Sequence, residues 1–136
     1  MDDTRTIGLN FYQLTNERRW EDLLGLVADD YVGHGLGGGG REGVRQDLEA
    51  FAAAFDDLHF TVEDTITEGE KVVVKTTMRG THHGAFAGVP ASGNSIEVGG
   101  CDVFRVRAGK IAEAWTLCDS GTLFMQIGAV PAPAGR

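Results

Sequence analysis

The chain has 136 residues, 42% hydrophobic and 24% charged, which is the usage of a single globular domain and not of a disordered or fibrous chain. A formal net charge of −8 works against nucleic acid and anionic membrane as partners, since affinity for both rests on Lys and Arg meeting fixed negative charge. The opening Met1-Asp2-Asp3 lacks the basic and apolar segments of a secretory signal, and no run reaches the roughly 18 apolar residues that would span a bilayer.

Ile7, Phe11 and Leu14 recur at helical spacing, and after Asn16 so do Trp20, Leu23, Leu24 and Val27, which predicts two opening helices. Tyr31-Val32-Gly33-His34 reads as a short strand and runs into a glycine loop. Val44, Leu48, Phe51 and Phe55 then predict a third helix. From Phe60 the period changes to two, with Phe60, Val62, Asp64 and Ile66 alternating with Thr61, Glu63 and Thr65. Further strands are expected at Lys71 to Thr81, Ser95 to Arg107 and Lys110 to Cys118, the last two joined by the tight turn Ala108-Gly109. Leu123, Phe124 and Ile127 form the apolar face of a tail helix that Gly128 ends. Helices followed by a strand meander predict an α+β fold, with three helices packed on one face of a curved, mainly antiparallel sheet. One domain is expected over 1–130, with a frayed tail at 131–136.

Residues two apart on a strand share a face, so the pattern also sorts side chains by direction. Asp102 falls with Ile96, Val98, Phe104 and Val106 on an apolar face. Asp119 falls with Ile111, Glu113, Trp115 and Leu117 if the last strand keeps its phase, and His82 falls with Val72, Val74, Thr76, Met78 and Gly80. His34 ends its own strand near the same place. A carboxyl on an apolar wall loses hydration, which raises its pKa toward the range useful for proton transfer. Asp119, Asp102, His82 and His34 are therefore the candidate catalytic residues. Asp119 also stands where an aspartate caps a helix, and Asp102 could pair with a nearby Arg or His.

Other chemistries find little support. No two histidines have the spacing of a helical zinc site, so no metal is expected. Gly33-His34-Gly35-Leu36-Gly37-Gly38 matches a dinucleotide-binding pattern formally, but the βαβ unit it needs is missing and a flexible loop explains it better. Cys101 and Cys118 lack metal spacing, are too few for a disulfide framework, and fall off the expected pocket face. A reducing cytoplasm is the expected setting.

Several segments are similar to the SnoaL-like polyketide and ester cyclases. They are Thr61-Val62-Glu63-Asp64, Val72-Val73-Val74, Gly80 to Pro90, Asp102-Val103-Phe104-Arg105, Gly109 to Trp115, Asp119, and Gln126-Ile127-Gly128, with Tyr31 to His34 at the place of that family's early histidine. The resemblance runs from about Asn10 to Val130. It implies a cone of the nuclear transport factor 2-like kind, paired into a homodimer or higher homo-oligomer through the outer sheet face. It also implies an apolar pocket for a small hydrophobic substrate, no cofactor, and Asp119 as the acid/base of an aldol-type ring closure. The expected wall is Trp115, Phe104 and Leu117 from the late strands, with Met78, Phe51, Tyr31 and Phe86. One departure is Ala114, where the family often has histidine; on strand phase it points away from the pocket. Two rival readings remain: epoxide opening on the same fold, weakened because Gly100 stands where those relatives carry an arginine, and a non-catalytic module that holds a small apolar ligand.

Overall fold

The spacing of Ile7, Phe11 and Leu14, and of Val44, Leu48 and Phe51, produces the two longest helices of the protein, seen here in a computed structural model that describes residues 3–129. The expected tail at 131–136 lies outside the described residues. In chain order the elements are α1 (Asp3–Asn16), α2 (Trp20–Leu24), β1 (Val27–His34), α3 (Arg41–Ala54), β2 (His59–Glu68), β3 (Lys71–Thr81), β4 (Ser95–Arg107), β5 (Lys110–Cys118) and α4 (Ser120–Gln126). The five strands form one sheet in the order β1-β5-β4-β3-β2. β1 runs parallel to β5 and every other pair is antiparallel.

β1 is longer than the four-residue strand expected, because the second helix stops at Leu24. The Ile111 amide donates to Leu26 O at 2.7 Å, and Val27 pairs with Ile111 in the sheet instead of ending the helix. No helix among the described residues is long and apolar enough to cross a membrane.

α1 and α3 lie on one face of the sheet. There Ile7, Phe11, Val44 and Leu48 bury against Val72, Val74, Phe104 and Ala114. The rings of Phe11 and Phe104 sit 5.0 Å apart, and Tyr12 is wedged between Phe60 and Phe104 at 5.6 and 6.0 Å. Such aromatic packing holds a side chain in one rotamer, which matters for Tyr12 because its ring carries a hydroxyl. A second cluster at the other end joins Phe55, Leu58, Met78, Ile96, Val98 and Leu123.

The sheet departs from simple alternation at one position with large consequences. Val106 pairs with Ile111 but Arg105 pairs with Glu113, so Ala112 is an extra residue in β5. Ile111 and Ala112 are consecutive and both buried. A bulge of this kind reverses the facing of all that follows. Beyond it Phe104 opposes Ala114, Asp102 opposes Thr116 and Gly100 opposes Cys118, and directly opposed residues share a face. Ala114, Thr116 and Cys118 therefore point inward, while Glu113, Trp115 and Leu117 point out.

Candidate active site

Between the helices and the inner sheet face lies a cavity of about 450 Å³. α3 supplies Phe51 to it, β3 supplies Met78 and Thr76, and the turn after β3 supplies Phe86. Phe86 packs 5.0 Å from Phe51, and its amide and carbonyl bond reciprocally with Val89, which fixes the turn that carries it. The polar groups on the wall are few: Tyr12, Asp47, Thr76, Asp102, Thr116 and Cys118, with no Lys, Arg or His among the described residues that line it.

Asp102 is the central group. β3 and β4 stay in unbroken register from Lys71↔Arg105 to Thr81↔Ser95, so alternation aims Asp102 inward between Val74 and Thr116. Burial pushes its pKa up to about 7, against a smaller opposing pull from the Leu117 backbone. Tyr12, buried on α1, donates its hydroxyl hydrogen to Asp102 Oδ2. A carboxyl that titrates near neutrality in an apolar cavity can take a proton and return it.

The remaining expected site residues are distributed differently. Asp119 is not on the inner wall. It is exposed and N-caps α4, accepting from the Thr122 amide at 3.1 Å and from the Thr122 hydroxyl at 2.7 Å. Those bonds lower its pKa, the side chain's bond to the Thr122 hydroxyl most, so it stays ionised at neutral pH. Trp115 and His34 are on the outer face, their rings stacked 5.2 Å apart, with His34 Nε2 2.7 Å from Glu113 Oε2. Leu117 follows them and is 70% exposed, yet it also borders the cavity beside Thr116 and Cys118. The bulge at Ala112 moves Trp115 and Asp119 off the expected face, and it brings Cys118, expected elsewhere, onto the cavity wall.

Phe104 lies beneath the cavity as core and does not line it. Tyr31 is also core: its hydroxyl donates to Leu36 O at 2.8 Å, and burial followed by the nearby Asp47 charge pushes its pKa to about 12. His82 is fully buried against Phe55, outside the cavity lining. The Ser92 amide donates to its Nδ1 at 3.1 Å, which puts the ring proton on Nε2, a buried atom with no partner among the described residues. Met78, Phe51 and Phe86 do stand on the wall. Tyr12, Thr76 and Cys118 were not singled out by sequence reasoning; the signal for Tyr12 was a polar-tipped ring next to Phe11 on the apolar side of α1.

The glycine loop after β1 closes one side. Leu36 N donates to Thr116 Oγ1 at 2.7 Å and Gly37 N donates to Asp47 Oδ2 at 2.7 Å. Gly37 has φ +71, and an added Cβ would meet Val44 and Tyr31 at 2.6 and 2.8 Å, so only glycine lets the loop lie this close. The loop serves as a wall, not as a phosphate cradle. Away from the cavity, Asp56, Asp57 and His83 bring three metal-type donors together, all exposed, with His83 Nδ1 bonded to Asp56 at 2.6 Å. A more open hollow of about 580 Å³ lies on the outer face beside Ile66, Val73 and Leu117.

Residues 6–127 match the family model described as SnoaL-like polyketide cyclase. The chain is similar to TsrD of Streptomyces laurentii, with 29% identity, TM-score 0.86, and coverage of 96% of this chain and 99% of that one. It is also similar to IdmH of Streptomyces antibioticus, a proposed polyketide cyclase, with 32% identity, TM-score 0.82, and coverage of 92% and 98%. A SnoaL-like protein of Jannaschia sp. CCS1 shares the fold at TM-score 0.83 and 23% identity. No curated protein matches the chain.

Proposed function

Because the chain belongs to the SnoaL-like polyketide cyclase family, we propose that it closes a ring in a polyketide ester by aldol-type addition, with Asp102 moving the proton. The observation that carries this reading is the Asp102 carboxyl, raised to about 7 on an apolar wall and held by the Tyr12 phenol.

The steps balance without an external reagent. The Asp102 carboxylate takes a proton from a carbon acidified by neighbouring carbonyls. The resulting enolate attacks a second carbonyl of the same molecule, a C–C bond forms, and that carbonyl's π pair becomes an alkoxide. The alkoxide takes the proton back from Asp102, so the product is an isomer of the substrate. Phe51, Phe86 and Met78 hold the chain folded near its reactive geometry, which lowers the entropic part of the barrier. With no Lys, Arg or His among the described residues of the wall, a neutral ester is favoured over a free acid, since an anion would meet Asp47 and Asp102 unneutralised.

The test is the pH dependence of turnover of an aromatic polyketide methyl ester. The base must be ionised, so kcat/KM is expected to rise with pH through about 7 and then level. Tight binding of the ester with no turnover at any pH would replace this reading with that of a ligand-binding module.

For assembly, the reading is self-association through the outer sheet face. Ile66 and Leu117 are 64% and 70% exposed there, and Val32 is 51% exposed. A Leu117→Glu variant should sediment as a smaller species than wild type. The free thiols of Cys101 and Cys118 suit the reducing cytoplasm as the place of action.

A further inference from the structure

Thr76 has a feature that ring-closure chemistry at Asp102 leaves unused. It is a hydroxyl residue only 3% exposed, on the cavity wall, and its Oγ1 has no hydrogen bond among the described residues. Unlike His82 Nε2, this oxygen is not sealed off in the core, so the partner it lacks within the protein can reach it from the cavity. The direction in which it points is given by its neighbour across the ladder. Thr76 opposes Gly100, and a Cβ placed on Gly100 would lie 3.1 Å from Thr76 Oγ1. The hydroxyl therefore leans over the bare backbone of Gly100.

On the other side Gly100 opposes Cys118, whose Cβ would be 3.9 Å from the same added atom. Thr76, Gly100 and Cys118 thus form one row across three strands, with side chains at its ends and none in its middle. The next inward row is Val74, Asp102 and Thr116. Rows two residues apart on a strand are separated by about 7 Å. The gap over Gly100 is therefore a recess one row from the acid/base, with a single unsatisfied hydroxyl in its side.

We propose that this recess receives a hydroxyl group of the substrate, with Thr76 as a positioning and specificity-determining residue that fixes which carbon faces Asp102. Thr76 does not touch the reacting atoms. Its hydrogen bond sets the register of the folded polyketide, and Gly100 is required because any side chain there fills the seat. The inference rests on the cavity being the substrate site, and its test is made independent of turnover.

The test is equilibrium binding of two probes, anthraquinone and 1-hydroxyanthraquinone, to wild type, Thr76→Val, Thr76→Ser and Gly100→Ala. Wild type is expected to favour the hydroxylated probe about three- to tenfold, the scale of one neutral hydrogen bond. Thr76→Val should bring that ratio to about one and leave anthraquinone binding unchanged, while Thr76→Ser should keep the preference. Gly100→Ala should lose it by filling the recess. Thr76→Val should also melt no lower than wild type, because it deletes an unpartnered hydroxyl; a hydroxyl with a structural partner would make it melt lower. Equal binding of the two probes by wild type, or an undiminished preference in Thr76→Val, overturns the proposal. Either result leaves proton transfer by Asp102 untouched, whereas a protein that never turns over an ester yet shows the Thr76-dependent preference retains the recess and loses the cyclase reading.

Discussion

The Tyr12 hydroxyl on α1 donates to Asp102 on β4, across 90 positions of sequence, and the bond joins the helical layer to the only carboxyl among the described residues whose pKa is raised toward neutrality. It also constrains what each partner can do. Burial raises the Asp102 pKa and the Leu117 backbone opposes it, while a phenol hydrogen bond by its nature also favours the ionised form.

Tyr12→Phe removes the phenol and leaves the ring packed between Phe60 and Phe104. With the stabilising bond gone, the carboxylate forms at higher pH. The rising limb of kcat/KM should move upward, with a loss of about tenfold at pH 7, the scale of one charge-assisted hydrogen bond, and recovery toward pH 9. A uniform loss at every pH would mean that Tyr12 acts only through packing.

Stability should carry the signature of Asp102 with a sign opposite to that of an ordinary carboxylate. Its folded pKa of about 7 lies above the usual 3.8, so the folded state holds the proton more tightly between those values. The stability Asp102 contributes is complete below about pH 4 and is lost as pH rises through about 7. Asp102→Asn should therefore gain on wild type between pH 4 and pH 8, by at least about 1 kcal/mol given about 1.4 kcal/mol per pKa unit. Melting temperatures at the two pH values check this; an advantage of Asp102→Asn over wild type that grows on acidification would reverse the assignment.

Asp119 has the ordinary sign. Its bonds to Thr122 lower its pKa, so the cap's contribution is present at neutral pH and lost as pH falls through the depressed value. Asp119→Ala should lower stability at pH 7, with a smaller loss under acid, read by chemical denaturation.

Most of the fold was legible because its signals are local. β3, β4 and β5 begin and end where period-two alternation and the Ala108-Gly109 turn place them, with both turn residues at positive φ, 52° and 75°. Asp102 was legible for the same reason: no irregularity interrupts β3 against β4. Asp119 was misplaced because one extra residue, Ala112, reverses β5 after Ile111, and both strand faces carry apolar residues there, so alternation alone cannot detect the slip. His82 kept the expected phase, but the chain turns beneath α3, where His83 N and Gly84 N both donate to Ala54 O, and the ring is sealed in the core. Tyr12 depends on a partner 90 positions away, and no periodicity in α1 reports that.

The most direct measurement compares turnover of an aromatic polyketide methyl ester by wild type, Asp102→Asn and Asp119→Asn, with product followed by chromatography at pH 8. Loss of at least about a hundredfold in Asp102→Asn, with Asp119→Asn within about threefold of wild type, is the expected result for a general acid/base at Asp102 and a helix cap at Asp119. Full turnover by Asp102→Asn, together with its loss in Asp119→Asn, would contradict the account and return the proton transfer to the residue at the start of α4.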